Sequence, residues 1–297
     1  MALTKEQIKA RLTRIGGSDA AAVCGKDPYK TAYEIALRIR GEIEPEDLEG
    51  KDIIEFGNEM EGVLARFYER KHKVKLHTPE TVVHPKHPFI AVNIDRMVEG
   101  RSDLGLEMKN TGQYVVDRWG SPGTDEVPDR VILQCTHAMM ILPDIQQFQV
   151  LRCFGGNQYQ EYVVPRNQGL VDALLQIELA FYENIQAGRI PEPDWFHRTT
   201  SDALSRAFKK VEGTIEARPD LVHWTLSYEE ASAEAKRTAA LKEALKNHID
   251  FLMGNIEVAL LPDGRKWVRK EIKKVEYSVA ASSYIQNKLM KPRATKS

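Results

Sequence analysis

Three charged side chains carry the strongest chemical signal in this chain of 297 residues. Asp95 lies in one apolar run, and Glu107 and Lys109 lie two residues apart in the next. Carboxylates beside a buried sheet are costly unless a cation neutralises them, and hard cations such as Mg²⁺ bind carboxylate and carbonyl oxygens. The pattern therefore indicates a divalent-metal site with a lysine beside it. The alternative is a half-exposed strand that carries ordinary surface charge.

A β-hairpin would bring these residues together. Two alternating runs, Ala91–Val98 and Leu104–Lys109, flank a polar turn that contains a glycine, and this pattern is typical of short strands joined by a tight loop. Because side chains alternate along a strand, the two charged residues of the second run share one face and its leucines and methionine share the other. The same alternation places Asn93 beside Asp95 in the first run.

An amphipathic helix is predicted before the hairpin. Met60, Leu64 and Phe67 recur at helical spacing and define an apolar face. Glu61 lies at the flank of that face, from which its carboxylate could reach the hairpin. A position on the surface is the alternative for this residue.

A glycine-rich turn near residue 16 is the second candidate site. Arg14 is followed by Gly16, Gly17 and Ser18 and then by an alanine run, which predicts a tight turn that leads into a helix. Free backbone N–H groups at a helix N-terminus bind anions, and Arg14 is close enough to assist. Ordinary capping of the helix by Ser18 is the alternative.

The rest of the sequence predicts an α/β protein with a mixed sheet. A helix over 130–142 carries Gln134, and two strands and another helix follow it. The other predicted elements are helices over 31–40, 170–188 and 228–253, strands over 81–84, 147–153 and 158–164, and a hairpin over 256–271. We expect one domain over 1–200 and a helical and hairpin appendage over 201–297.

Composition excludes several classes of protein. The net charge is −1, so a nucleic-acid surface would have to be a local basic patch, such as the one formed by Lys266, Arg269, Lys273 and Lys274. Three scattered cysteines support neither a disulfide framework nor a zinc or iron–sulfur site. The sequence shows no signal peptide and no apolar run long enough to cross a membrane. We therefore expect a cytoplasmic protein, in the host cytoplasm if a phage encodes it.

Taken together, these motifs resemble the PD-(D/E)xK nucleases, and among them the YqaJ-type viral recombinases related to phage lambda exonuclease. The motifs that carry the resemblance are IGGSDAAAV, DPYKTAYEIALRIRGE, FGNEMEGVLARFYE, NIDRM, LEMK and EVPDRVILQCTHAM, in this order across about residues 12–190. Ile94 replaces the proline of the family pattern. The resemblance implies the nuclease core of that superfamily, with a mixed central sheet flanked by helices, plus the C-terminal long helix and β-hairpin.

The resemblance also implies roles for single residues. Asp95 and Glu107 would be the principal metal ligands, with the Met108 carbonyl, and Glu61 would hold a second ion. Lys109 would polarise the attacking water, and Gln134 would brace the site. The residues implied for binding the terminal 5′-phosphate are Arg14, Gly17, Ser18 and Asn93.

The implied function is a 5′→3′ exonuclease that resects linear double-stranded DNA and leaves a 3′ single strand for recombination. The resemblance implies two Mg²⁺ ions per site, with Mn²⁺ as a substitute. It also implies a homo-oligomer, such as a trimer, and a single-strand annealing protein as a partner. A RecB-like or structure-specific endonuclease on the same core is one alternative. A non-catalytic DNA-binding or assembly protein is the other, and the complete set of charged residues disfavours it.

Overall fold

The structure is a computed structural model that describes residues 12–43, 52–112, 119–208, 213–214, 216 and 218–269. The chain separates into two compact units, Met1–Lys209 and Lys210–Ser297. The helices are α1 (Gly17–Val23), α2 (Ala32–Ile39), α3 (Asp52–His72), α4 (Asp129–Ile141), α5 (Gln168–Gln186), α6 (Thr200–Ala207) and α7 (Pro219–Met253). The strands are β1 (Leu76–His77), β2 (Val82–Val83), β3 (Ala91–Val92), β4 (Arg96–Val98), β5 (Leu104–Thr111), β6 (Gln147–Phe154), β7 (Gln158–Pro165), β8 (Val258–Leu260) and β9 (Lys266–Val268).

A five-stranded mixed sheet organises the first unit, in the order β1-β4-β5-β6-β7. Strands β5 and β6 are parallel, and the other neighbours in this sheet are antiparallel. Helix α4 forms the connection between the two parallel strands, as parallel pairing requires a crossover. The predicted α/β class and its mixed sheet flanked by helices are confirmed.

The predicted hairpin is half right. Strand β4 pairs with β5 in antiparallel register, with Arg96 opposite Leu106. The start of the first run does not continue this strand, because Ala91–Val92 pairs instead with β2 in a separate two-stranded sheet. The segment from Asn93 to Asp95 links the two sheets, so Asp95 lies just before β4 rather than inside a long strand.

Each face of the sheet is covered by a helix. On one face, Leu64 and Tyr68 of α3 pack with Leu106 and Met108 of β5. On the other face, α4 packs in the cluster that contains Phe148. The predicted apolar side of β5 is therefore the side that faces α3, and its charged side faces α4. The predicted apolar face of α3 was partly wrong, because Phe67 is exposed.

The second unit contains the long helix α7 and the small β8–β9 hairpin, which confirms the predicted appendage. Arg269 does not project freely here, because its Nη1 donates a hydrogen bond of 2.6 Å to the carbonyl oxygen of Gly254. Lys273 and Lys274 of the predicted basic patch lie outside the described residues. Helix α6 belongs to the first unit, where its Arg206 forms an ion pair with Glu34 of α2. In the described ranges, none of the helices combines the length and hydrophobicity of a bilayer span.

Candidate active site

Glu107, Lys109 and Gln134 form a closed triangle of hydrogen bonds on the face of β5 that α4 covers. The Lys109 ammonium donates to Glu107 Oε1 at 2.5 Å and to Gln134 Oε1 at 2.9 Å. Gln134 Nε2 donates to the same Glu107 oxygen at 2.7 Å. The strand thus positions the two charged groups on one face, and the first turns of α4 bring the amide to them. These three predicted residues are together.

Lys109 is protonated in this environment. Burial alone would lower the pKa of the Lys109 ammonium, but Glu107 and then Asp95 outweigh it and raise the pKa above 10.5. The side chain therefore remains a cation at neutral pH. Such a group can stabilise charge that develops on a bound substrate, but it cannot accept a proton.

Asp95 lies beside this triangle and holds the backbone of β5. Its Oδ2 accepts a hydrogen bond of 2.7 Å from the amide of Met108. Burial, followed by the neighbouring Glu107 carboxylate, raises the pKa of Asp95 well above 3.8. The site therefore concentrates more negative charge than its own lysine neutralises.

Glu61 on α3 belongs to the same electrostatic group. Burial raises the pKa of its carboxyl above 4.5, and Glu107 raises it further, whereas Arg96 and Lys109 act in the opposite direction. Its side chain is neither fully exposed nor fully buried. The alternative from the sequence, an ordinary surface glutamate, does not describe a partly buried carboxyl group that contributes to the raised pKa of Asp95.

The chemistry of these donors fits a hard divalent cation. The set consists of carboxylate and carbonyl oxygens alone, which suits Mg²⁺ or Mn²⁺ and not zinc or copper. Burial, and after it the neighbouring Glu107 carboxylate, raises the pKa values of Asp95 and Glu61, and a bound cation would favour the charged form of both. Within the described ranges, no three acidic, histidine or cysteine side chains stand close enough together to hold an ion as they are. Glu107 accepts hydrogen bonds from Lys109 and Gln134, and Asp95 accepts one from the amide of Met108.

The glycine turn lies against the same helix that carries Gln134. A Cβ atom at Gly17 would stand 3.4 Å from Gln134 Cγ, which is van der Waals contact, so α1 packs closely on α4 at this residue. Ser18 is exposed, and Arg14 is partly buried. The structure thus places Gly17 beside Gln134, and Arg14 and Ser18 lie within three residues of Gly17 in the chain.

The cap of α1 differs from the sequence alternative. Gly16 is the N-cap residue, and its amide donates to Asp19 Oδ2 at 3.0 Å, so Ser18 is not the cap. Asp19 is buried, and Arg38 Nη2 contacts it at 2.7 Å. Although burial alone would raise the pKa of Asp19, Arg38 and Lys30 hold it below 3.8. One of the amides expected to bind an anion is therefore already used by a carboxylate of the chain itself.

Asn93 lies two residues before Asp95, as the sequence indicates, and it is exposed. Its Oδ1 accepts a hydrogen bond from the Thr81 hydroxyl at 2.5 Å. Among the described residues, none accepts a hydrogen bond from the Asn93 amide nitrogen, so this nitrogen can donate to a ligand.

Sequence reasoning missed a buried ion pair behind the site. His137 of α4 and Glu178 of α5 are fully buried, and Nδ1 of the histidine lies 2.8 Å from Oε1 of the glutamate. The other ring nitrogen lies 3.0 Å from the carbonyl oxygen of Ala91. His137 therefore ties α4 to α5 and to the strand that precedes the Asn93–Asp95 segment. The signal was available, because Glu178 lies four residues after Leu174 and three before Phe181, on the apolar face of its helix.

A mixed sheet with Asp95 beside it and a Glu-x-Lys motif at its centre is the core predicted for a PD-(D/E)xK nuclease. Residues 7–142 match the family model of the YqaJ-like viral recombinase domain. This match confirms the predicted resemblance to the YqaJ-type viral recombinases over residues 7–142.

The chain is also similar to single proteins. The chain is 25% identical over 253 residues to the uncharacterized protein YqaJ of Bacillus subtilis (strain 168), covering 82% of this chain and 77% of that protein. The fold is similar to that of an alkaline exonuclease, LHK-Exo, from Laribacter hongkongensis, with a TM-score of 0.46 and 14% identity over 62% of this chain and 94% of that one. It is also similar to a phage related exonuclease from Haemophilus somnus 129PT, with a TM-score of 0.43 and 14% identity over 59% of this chain and 96% of that one.

Proposed function

We propose that this protein is a Mg²⁺-dependent exonuclease that degrades one strand of a linear DNA duplex in the 5′→3′ direction and leaves a 3′ single strand for recombination. The observation that carries the proposal is the triangle of Glu107, Lys109 and Gln134, with Asp95 and Glu61 around it. Glu107 is buried and the other two carboxyl groups are partly buried, and an ordinary surface strand would have no reason to hold three carboxyl groups there around one ammonium.

Each residue has a separate role in this proposal. Asp95, Glu107 and the Met108 carbonyl would hold the cation, and Glu61 would support a second ion. When bound, divalent cations activate water as a nucleophile and neutralise charge on the attacked phosphate. Because Lys109 stays protonated, its ammonium would stabilise the negative charge that builds on the phosphate oxygens. Gln134 holds the two charged side chains in place, because it accepts a hydrogen bond from Lys109 and donates one to Glu107.

The direction of digestion rests on the family resemblance, and the glycine turn gives it a physical route. The first amides of a helix have no partner inside the helix, and Arg14 stands three residues before Gly17. Asp19 removes the Gly16 amide from this set but is itself neutralised by Arg38 and Lys30. A terminal 5′-phosphate bound at Arg14, Gly17, Ser18 and Asn93 would place the end of the strand beside Gln134.

Finer assignments follow the same resemblance. A homo-oligomer, with a trimer as the expected form, would enclose the duplex, and a single-strand annealing protein would take up the product strand. Sedimentation of the purified chain with and without duplex DNA measures the first directly. A mass that stays at one chain in both conditions would refute it.

The decisive experiment compares DNA substrates and site variants. The protein is incubated with end-labelled linear duplex and with nicked and closed circular DNA, with and without Mg²⁺. We expect shortening of linear duplex from the 5′ end in Mg²⁺ only. Lys109→Ala and Glu107→Gln should abolish it, and Glu107→Gln should also weaken Mg²⁺ binding.

Exposed residues of the same types provide matched controls. Lys86→Ala and Glu99→Gln change a lysine and a glutamate that face solvent, and both variants should retain full activity. Cleavage of closed circles would replace the exonuclease by an endonuclease. Retention of more than a few per cent of activity in Lys109→Ala or Glu107→Gln would refute the site.

A further inference from the structure

Arg152 of β6 is a buried cation on the same face of the sheet as the candidate active site. It pairs with Lys109 in the parallel register of β5 and β6, and paired residues of neighbouring strands point to the same face. The residue is only 5% exposed. None of the roles described so far involves this guanidinium.

The partners of Arg152 are neutral. Its Nε donates to the Thr111 hydroxyl at 2.7 Å, and its Nη1 donates to Gln160 Oε1 at 3.3 Å. The guanidinium carbon lies 4.4 Å from the ring centres of both Trp119 and Phe154. Among the described residues no carboxylate pairs with it, although a buried charge is normally paired. Two aromatic faces and two neutral acceptors offset only part of the cost of burying this charge.

A second buried donor lies beside this cation. The indole nitrogen of Trp119 is buried and has no hydrogen-bond partner in the part of the chain that the structure describes. Trp119 also contacts Tyr162, with ring centres 4.9 Å apart, and the Tyr162 hydroxyl already donates to the Gly120 carbonyl at 3.2 Å. The corner formed by Arg152 and Trp119 therefore holds more hydrogen-bond donors than acceptors.

The location suits a ligand. Arg152 reaches Thr111, which lies two residues beyond Lys109 on β5, or roughly 7 Å farther along the strand. Both strands end here, and ligands of α/β sheets bind at the carboxyl ends of parallel strands. The glycine turn at α1 is a different place, because it contacts Gln134 and His137 on α4.

We propose that Arg152, with the indole N–H of Trp119, binds a phosphate oxygen of the nucleic-acid strand that passes through the active site. A phosphate supplies the anion and the acceptors that this corner lacks, and guanidinium groups bind phosphate oxygens in a bidentate manner. The assignment rests on the proposed function, since it takes DNA as the substrate. The same chemistry would also accept the phosphate of a free mononucleotide.

Binding without catalysis tests this contact. A 5′-hydroxyl single-stranded oligonucleotide is titrated in EDTA over a range of salt concentrations, so that neither cleavage nor the terminal-phosphate site contributes. Arg152→Gln should weaken binding about tenfold at low salt and reduce the slope of log affinity against log salt by about 0.7. Arg152→Lys should keep the slope, because the positive charge remains. Trp119→Phe should weaken binding but leave the slope unchanged, because it removes a neutral donor.

A matched control removes a comparable arginine elsewhere. Arg166 donates to the carbonyl oxygen of Met139 at 2.7 Å, at the opposite end of the β6–β7 hairpin. Arg166→Gln should therefore leave the salt slope unchanged. If Arg152→Gln lowers the melting temperature and the slope stays at the wild-type value, Arg152 only holds Trp119 and Phe154 on the sheet and the proposal is overturned. Should Arg152→Gln fail to fold, Trp119→Phe still decides the question, because oligonucleotide binding as tight as that of the wild type would overturn the proposal.

Two further arms separate the sources of the phosphate and the two proposals. In the first arm, dAMP is tested for protection of the wild type and of Arg152→Gln against thermal unfolding. If dAMP protects only the wild type and Arg152→Gln leaves the salt slope of oligonucleotide binding unchanged, the corner binds a mononucleotide phosphate instead. Because all binding is measured in EDTA, a protein that binds through Arg152 but cuts nothing in Mg²⁺ would refute the nuclease and keep the phosphate contact. If the wild type cuts DNA in Mg²⁺, Arg152→Gln leaves the salt slope unchanged, and neither dAMP nor inorganic phosphate protects the wild type, the phosphate contact is refuted and the nuclease is kept.

Discussion

The buried pair of His137 and Glu178 makes the stability of the first unit sensitive to single substitutions behind the active site. Both nitrogens of the histidine ring face oxygen atoms, of a carboxyl group and of a backbone carbonyl, and both can donate to them only when the ring carries two protons and a positive charge. Removing one member of a buried ion pair leaves the other charge unpaired and typically costs about 3–5 kcal/mol. We therefore expect His137→Leu and Glu178→Met each to lower the free energy of unfolding by about that amount.

The double variant provides the quantitative test. His137→Leu combined with Glu178→Met replaces the pair by apolar groups of similar volume, a change that is often neutral or stabilising. Its cost should therefore be smaller than that of either single variant, which gives a coupling free energy of several kcal/mol in a double-mutant cycle. Urea unfolding monitored by circular dichroism measures all four proteins. Asp103→Asn, which breaks the exposed pair with Arg101, is the control and should cost under about 1 kcal/mol.

The pH dependence of the same pair has a definite sign. Burial alone would lower the pKa of His137, but Glu178 outweighs it, so the pKa in the folded protein lies above 6.5. The folded state then binds more protons than the unfolded state in the range above 6.5. The stabilisation is fully present below that pH and is lost as the pH rises through the raised pKa. Two results would refute the buried imidazolium. One is additive costs of the two single variants in the cycle. The other is a free energy of unfolding of the wild type, relative to that of the double variant, that does not fall from pH 6 to pH 9.

Two further predictions concern the active site. Gln134→Leu removes one hydrogen bond to Lys109 and one to Glu107; the loss of one charge-assisted bond, about 1.5–3 kcal/mol, should slow single-turnover cleavage at least tenfold without preventing folding. A rate within twofold of wild type would show that Gln134 does not brace the site. Arg14→Ala should erase most of the preference for 5′-phosphate over 5′-hydroxyl duplex ends, measured as initial rates of digestion. Equal rates on both ends in the wild type would assign the glycine turn to packing alone.

The strand that carries the site could be predicted from the sequence because alternation along β5 is strict. Leu106 and Met108 are buried against α3, and the charged residues between and after them face α4, as the period of two requires. The helix with Gln134 was also predicted at its observed place, although most of its residues from Val131 to Ile141 are buried. Helices cover both faces of β5, yet its alternation is clear because the face towards α4 carries the charged residues.

Other features could not be predicted because tertiary partners decide them. The run Ala91–Val98 alternates throughout, yet β2 pairs with its beginning and β5 with its end, which breaks it before Asp95. Ser18 is a good capping residue by type, but Asp19 reaches Gly16 first because Arg38 and Lys30 neutralise its buried carboxylate. Ile177 fits the apolar period of α5 but is exposed, whereas Glu178 is buried because His137 pairs with it. A single sequence does not show which charged residues, far apart in the chain, will form ion pairs in the folded protein.

The parallel pairing of β5 with β6 also governs when the chain can acquire activity. Strands β4 and β5, and likewise β6 and β7, are joined by short connections, and such local hairpins form within microseconds. The ladder between β5 and β6 joins segments far apart in sequence, so its closure must wait for α4 to dock and pays a larger loop entropy. Glu107 lies on one hairpin, and Gln134 lies on the connecting helix. A nascent chain therefore cannot assemble the triangle of Glu107, Lys109 and Gln134 until α4 docks, so the nuclease activity proposed for this site would begin only after that step.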